Sequence, residues 1–123
     1  MNQKGFATLE IILMVMVVGI LATMAVPQFE KITASANTAK VQSDLAAINS
    51  AAAVYQMETG QVATYDKLTA SYFENGLPQP PTGSIYVDGE VKKITEVGTG
   101  DYSISDGKAT FRGQTADKFV TKK

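Results

Sequence analysis

Between Ile11 and Val26 the sequence reads IILMVMVVGILATMAV, without one charged side chain. This run constrains the fold more than any other feature. Taken back to Phe6, it makes a helix roughly 30 Å long, enough to cross the hydrocarbon core of a bilayer. Lys4 and the amino terminus precede it, which places the N-terminus in the cytoplasm and the remainder outside. A secretory signal peptide is one alternative, with small residues near Ala25 and at Ala34-Ser35-Ala36 as a mock cleavage site. A permanent single-span anchor is another. Against the signal peptide stand a single lysine ahead of the run and a carboxylate, Glu10, at its mouth.

Glu10 is costly. An acidic residue at the centre of a membrane helix costs about 2.5–3.5 kcal/mol, and less near the end where Glu10 lies. Either it marks the membrane interface, or it has a partner that lipid does not supply.

The rest of the composition removes whole classes of function. Histidine and cysteine are both absent, which excludes the commonest general base, the commonest zinc ligand and all thiolate chemistry. The net charge of −1 and a single arginine, Arg112, give no basic stripe for nucleic acid. Asp88, Glu90, Asp101, Asp106 and Asp117 are oxygen donors suited to calcium, but no D-x-D-x-D-G loop contains them, and turn chemistry accounts for them better. Gly98 and Gly100 form a GTG without the strand and helix that a phosphate site needs. The expectation is no catalytic residue, no cofactor and no metal.

The helical pattern outlasts the apolar run. Phe29, Ile32, Ala36, Val41, Leu45, Ile48, Ala52 and Tyr55 recur mostly three or four apart, with Lys40, Gln42, Asp44 and Asn49 on other faces. The helix is predicted from Phe6 to Glu58, about 80 Å if unbroken, with Gly60 as its stop signal. Pro27 is expected to kink it, and Gly19 and Pro27 bracket the stretch most apt to bend. A short helix over 65–73 is predicted, with Thr64 as its cap. Leu77–Pro81 reads as a turn or extended loop. Asp88-Gly89 and Asp106-Gly107 suit two-residue type I′ turns, giving strands near 84–87, 91–97, 101–105 and 108–112, most simply as one antiparallel meander. Its apolar face would pack on Leu45, Ile48, Ala52 and Tyr55. The tail DKFVTKK is expected to be solvated.

Lys4-Gly5-Phe6-Ala7-Thr8-Leu9-Glu10, followed by the uncharged run, resembles the class III signal of type IV pilins and pseudopilins. Gly19 and Pro27 stand where that family commonly has a glycine and a proline. The resemblance covers Met1 to about Gly60 and is architectural beyond. It implies an α+β pilin-like fold, a long N-terminal helix packed on a small antiparallel β-sheet. Residues 1–5 would be a leader and 6–28 a transmembrane and filament-core helix. Residues 29–123 would be the head: helix to about 58, loop 59–83, meander 84–112 and tail. It implies cleavage between Gly5 and Phe6 by a prepilin peptidase that also methylates Phe6, leaving 118 residues, and a register role for Glu10 against the new amine of a neighbouring subunit. The implied partners are the membrane, further copies in a helical filament, an assembly ATPase, a platform protein and minor pilins. The implied roles are a pilus subunit for adhesion, motility or DNA uptake, or a pseudopilin of a type II secretion system. A membrane-anchored binding domain that never polymerises is the reading from outside the family. The implied location is the membrane before assembly and a cell-surface filament afterwards.

Overall fold

The computed structural model describes residues 3–122, so Met1 and Asn2 of the expected leader and the last lysine of the tail lie outside the described residues. The chain divides into two compact units, Met1–Ile32 and Thr33–Lys123. Helix α1 comprises Gln3–Thr59 and contributes to both.

In the first unit α1 runs unbroken through Gly19 and Pro27. Pro27 cannot donate to the carbonyl of Thr23, yet the flanking Ala, Leu, Met and Ile residues favour helix strongly enough to carry the geometry across. The expected interruption at Pro27 is therefore not a break in the helix. Every described residue of this unit is exposed, including Ile11 at 61%, Val15 at 65% and Val26 at 68%. A helix apolar on all sides is stable in a membrane or among other helices, and not as a free element in water.

The second unit has a core of its own. Ala34, Thr38, Val41, Leu45, Ile48, Ala52 and Tyr55 form the buried stripe of α1. This corrects the upper part of the predicted stripe: Phe29 and Ile32 are 72% and 66% exposed, Ala36 is exposed, and Ala34 and Thr38 take their place. A helix turns 100° per residue, so a face drawn from Phe29 drifts away from one drawn from Val41. Gly60, at φ +71, ends α1 one residue beyond the expected Glu58, and its N–H donates to the Gln56 carbonyl at 2.8 Å. Only glycine adopts this left-handed stop without strain. Helix α2 spans Tyr65–Ser71, shorter than predicted, and Thr64 precedes it without a side-chain cap bond.

Strands β1 (Ser84–Val87) and β2 (Glu90–Lys93) form one antiparallel hairpin, and β3 (Tyr102–Ser105) and β4 (Lys108–Phe111) another. Asp88 and Gly89 at φ +52 and +83, and Asp106 and Gly107 at +51 and +77, build the predicted type I′ turns. The single meander is not formed: the two hairpins are separate two-stranded sheets. The predicted strand over 91–97 stops at Lys93 because Ile94 turns inward. Its N–H reaches the Gly83 carbonyl at 2.8 Å, its side chain is 4% exposed, and Ile94–Glu96 coil into a 3-10 turn. The chain then loops back through Gly98, whose Cα hydrogen faces the Arg112 carbonyl so closely that a Cβ would lie 2.7 Å from that oxygen. The predicted strands 101–105 and 108–112 are each trimmed by one residue.

Of the described tail residues, Asp117, Lys118, Thr121 and Lys122 are exposed, and the correction to a solvated tail is Phe119. Ala116–Lys118 form a second 3-10 turn, and Phe119 is fully buried. Its ring lies 5.7 Å from that of Phe111, which in turn lies 5.2 Å from that of Tyr102. Burying an aromatic or branched side chain of this kind stabilises by about 1.5–3 kcal/mol. The neighbouring Lys118 and Lys122 stay exposed, so burying Phe119 does not cost them their hydration. The backbone of the same segment closes over the first hairpin: the N–H groups of Asp88 and Gly89 donate to the carbonyls of Lys118 and Val120 at 2.8 and 3.0 Å.

Candidate assembly site

Gly5, Phe6 and Glu10 lie on α1 in the first unit. Phe6 is 54% exposed, and its nitrogen is a peptide nitrogen joined to Gly5. The Thr8 hydroxyl donates to the Lys4 carbonyl at 2.9 Å, a local bond within the same turn. Glu10 is exposed and shares a shallow groove with Leu13, Met14, Val17 and Val18. Those spacings of three and four put the carboxylate on one helix face with four apolar side chains. Chemically the groove offers one anion inside an otherwise greasy wall. A Cβ added at Gly19 would meet nothing within 4 Å, so packing inside the single chain does not require glycine there.

In the second unit α1 carries a row of polar residues beside its apolar stripe. The Asn37 amide donates to the carbonyls of Thr82 and Ser84 at 3.0 and 2.7 Å. The buried Thr38 hydroxyl donates to the Ala34 carbonyl at 2.6 Å and accepts the Tyr86 N–H at 2.9 Å. Gln42 donates to the Phe119 carbonyl. Asn49 Oδ1 accepts the Ala109 N–H at 2.7 Å. Asp44 accepts from the Tyr102 hydroxyl at 2.6 Å and pairs with Lys40 one turn earlier, also at 2.6 Å. Lys40, Gln42, Asp44 and Asn49 thus lie off the buried stripe as predicted, and the last three also reach side-on to the hairpins and tail. Sequence reasoning assigned these residues no partners because it counted only apolar periodicity. The available signal was adjacency: 37/38, 41/42, 44/45 and 48/49 each set a polar residue next to a stripe position.

Tyr102 is 4% exposed. Burial, then the hydrogen bond to Asp44, holds its phenol well above the ordinary value of 10.0. Because the folded chain resists ionising Tyr102, the stability it adds is complete below about pH 10 and drains away as the pH climbs further. Tyr72 is shifted the same way, chiefly by its hydrogen bond to Glu58. We expect Tyr102→Phe to lose about 0.5–1.5 kcal/mol at neutral pH and to flatten, without abolishing, the alkaline decline. Urea midpoints at neutral pH and near pH 11 check this; an unchanged decline in the variant assigns the effect elsewhere.

The five candidate calcium residues are not brought together. Among the described residues no group of three or more acidic side chains is placed to hold a metal. Asp88 and Asp106 serve the two type I′ turns. The carboxyl of Asp117 is held below its usual range, first by the Thr115 hydroxyl that donates to it.

An exposed apolar helix leading into a small α+β head, with a carboxylate in the apolar part, defines the class of membrane-stem proteins whose stems need a protein or lipid partner. The comparisons narrow this. The major component of the type IV narrow pilus of Thermus thermophilus is 35% identical over 71 residues, covering 58% of this chain and 61% of its own. A type II secretion system core protein G of Klebsiella pneumoniae is 33% identical over 102 residues, covering 69% of this chain and 73% of its own. A fimbrial protein of Pseudomonas aeruginosa is 28% identical over 95 residues, covering 77% and 59%. No family model and no solved structure matches the chain. The chain belongs to the type IV pilin and pseudopilin family. It spans about three-fifths of the length of the Thermus and Pseudomonas relatives.

Proposed function

We propose that this chain is a structural subunit of a type IV pilus or related filament, polymerising through its N-terminal helix. The observation that carries the reading is the first unit: an apolar helix with every described residue exposed and one carboxylate set in its groove. In a bilayer lipid covers that surface; in a filament the same surface is covered by the helices of other copies. A prepilin peptidase cuts after Gly5 and methylates Phe6. The new amine, still cationic, meets Glu10 of a neighbour where water is scarce and attraction is strong. Desolvation offsets much of that gain, so the main benefit is register: only one axial stagger pairs the two charges. An assembly ATPase and a membrane platform drive the transfer from lipid to polymer, and minor pilins join it. Gly19 to Pro27 is the stretch that loosens as copies pack, since Pro27 leaves the helix one backbone bond short.

One experiment on purified native filaments tests these steps. The subunit mass should lack Met1–Gly5 and carry one methyl, and amide exchange should be faster across 19–27 than in the flanking helix. A full-length mass would remove the processing step; uniform protection would remove the loosening. Blocking cleavage with Gly5→Ala separates this reading from an anchored binding domain, which is indifferent to it.

A second reading, a pseudopilin of a type II secretion system working as a short piston, is favoured by the identity with core protein G over 69% of the chain. Long surface filaments that vanish when the gene is deleted support the pilus; loss of secretion without such filaments supports the piston.

A further inference from the structure

Strands at a sheet edge leave alternate N–H and C=O groups unpaired, and such edges recruit strands from other chains. Two separate hairpins expose more edge than one meander would. In a hairpin closed by a two-residue turn, the residues flanking the turn bond to each other and the next pair points outward. On β1 the outward residues are Tyr86 and Ser84, and α1 meets both: Thr38 accepts the Tyr86 N–H and Asn37 donates to the Ser84 carbonyl. On β4 they are Ala109 and Phe111. Asn49 accepts from the first, and Gln114 exchanges two 2.9 Å bonds with the second. On β3 they are Tyr102, buried, and Ile104, half-buried, and at the start of that strand Asp101 and Tyr102 line one cleft with Leu77, Pro78 and Pro80. Prolines have no N–H with which to extend a ladder. On β2 the outward residues are Val91, half-buried, and Lys93, exposed and charged, and the exposed side chains of Glu90 and Lys92 alternate with them.

We propose that the head is guarded against strand addition, by α1 and Gln114 at the β1 and β4 edges and by charged side chains at β2, so that a second copy of this chain does not join it by strand pairing. The partner rests on the filament reading above; the closure is a property of the head. Crowding makes the closure necessary. Identical heads held side by side along a polymer present strand edges to one another repeatedly and at high local concentration, the situation that favours cross-β stacking. The polar row on α1 then does more than anchor the hairpins, because its side chains occupy the places a further strand would take.

The β2 edge is guarded by charge alone and is the place to test. Lys92→Thr with Lys93→Val, made in the full chain in detergent and in a Glu10→Val background, should raise sedimentable, thioflavin-positive material about tenfold. Lys108→Thr with Lys122→Thr removes the same two charges away from that edge and should stay soluble. Equal solubility of the first variant and its parent, or equal aggregation of both variants, overturns the proposal. Filaments that persist in the Glu10→Val background count against the assembly role of Glu10, a separate readout from thioflavin binding.

Discussion

Valine in place of Glu10 is expected to leave the chain in the membrane and to abolish or scramble its filaments. Insertion should improve slightly, because the substitution removes a charge whose cost reaches about 2.5–3.5 kcal/mol at mid-membrane and is smaller near a helix end. The head should be untouched, since Glu10 lies in the other compact unit. Assembly should fail because, in the filament proposed above, the amine of the neighbouring Phe6 would then be buried without its anion. Breaking a buried pair from one side costs about 3–5 kcal/mol. Glu10→Gln keeps the size and the hydrogen bonding and removes only the charge, so it isolates the electrostatic part. The measurement compares sheared filament yield with the membrane-bound pool. Normal filaments from Glu10→Val would sink the register role, whatever their length.

Phe111→Ala should destabilise the head by about 3–5 kcal/mol, the usual range for a fully buried phenylalanine. Phe111 has no exposed surface and its ring stands between those of Tyr102 and Phe119. Removing it opens a cavity and unseats the segment that ties the first hairpin. Small domains have only about 5–15 kcal/mol in total, so this single change should bring the head near its unfolding threshold. Denaturant unfolding of the full chain in detergent reads it. Phe29→Ala is the matched control: Phe29 is 72% exposed, and its loss should alter head stability by no more than about 0.5 kcal/mol. If both variants behave alike, the aromatic cluster is not the keystone of this core.

The local signals were legible in the sequence to different depths. Helix α1 already includes Gln3 to Gly5, ahead of the predicted start at Phe6, whereas Gly60 bounded its end to within one residue, because a left-handed stop acts locally. The Asp-Gly pairs located both turns for the same reason. Pairing between hairpins was not legible. Four strand signals in a row read as one sheet, and only the inward turn of Ile94, a tertiary preference, separates them. Phe119 was missed because one aromatic among lysines carries no period, and its burial depends on a cavity that Phe111 and the first hairpin create. Gly5, Phe6 and Glu10 were the opposite case. They were readable as a motif, while in the isolated chain they are simply exposed positions on a helix, and the roles proposed for them need other molecules.

The burial of Phe119 also sets an order of events. Among the described residues it lies later in the chain than every other member of the core, and Val41 is the earliest member of that cluster. Synthesis proceeds from the N-terminus at about 5–20 residues per second. The greasy stem therefore emerges, and can be captured by lipid, seconds before the head is able to close. Until Phe119 arrives, the first hairpin lacks its tie and the aromatic cluster lacks its last ring. The stem is thus complete before its head has a finished surface, and the head is the last part of the chain able to close.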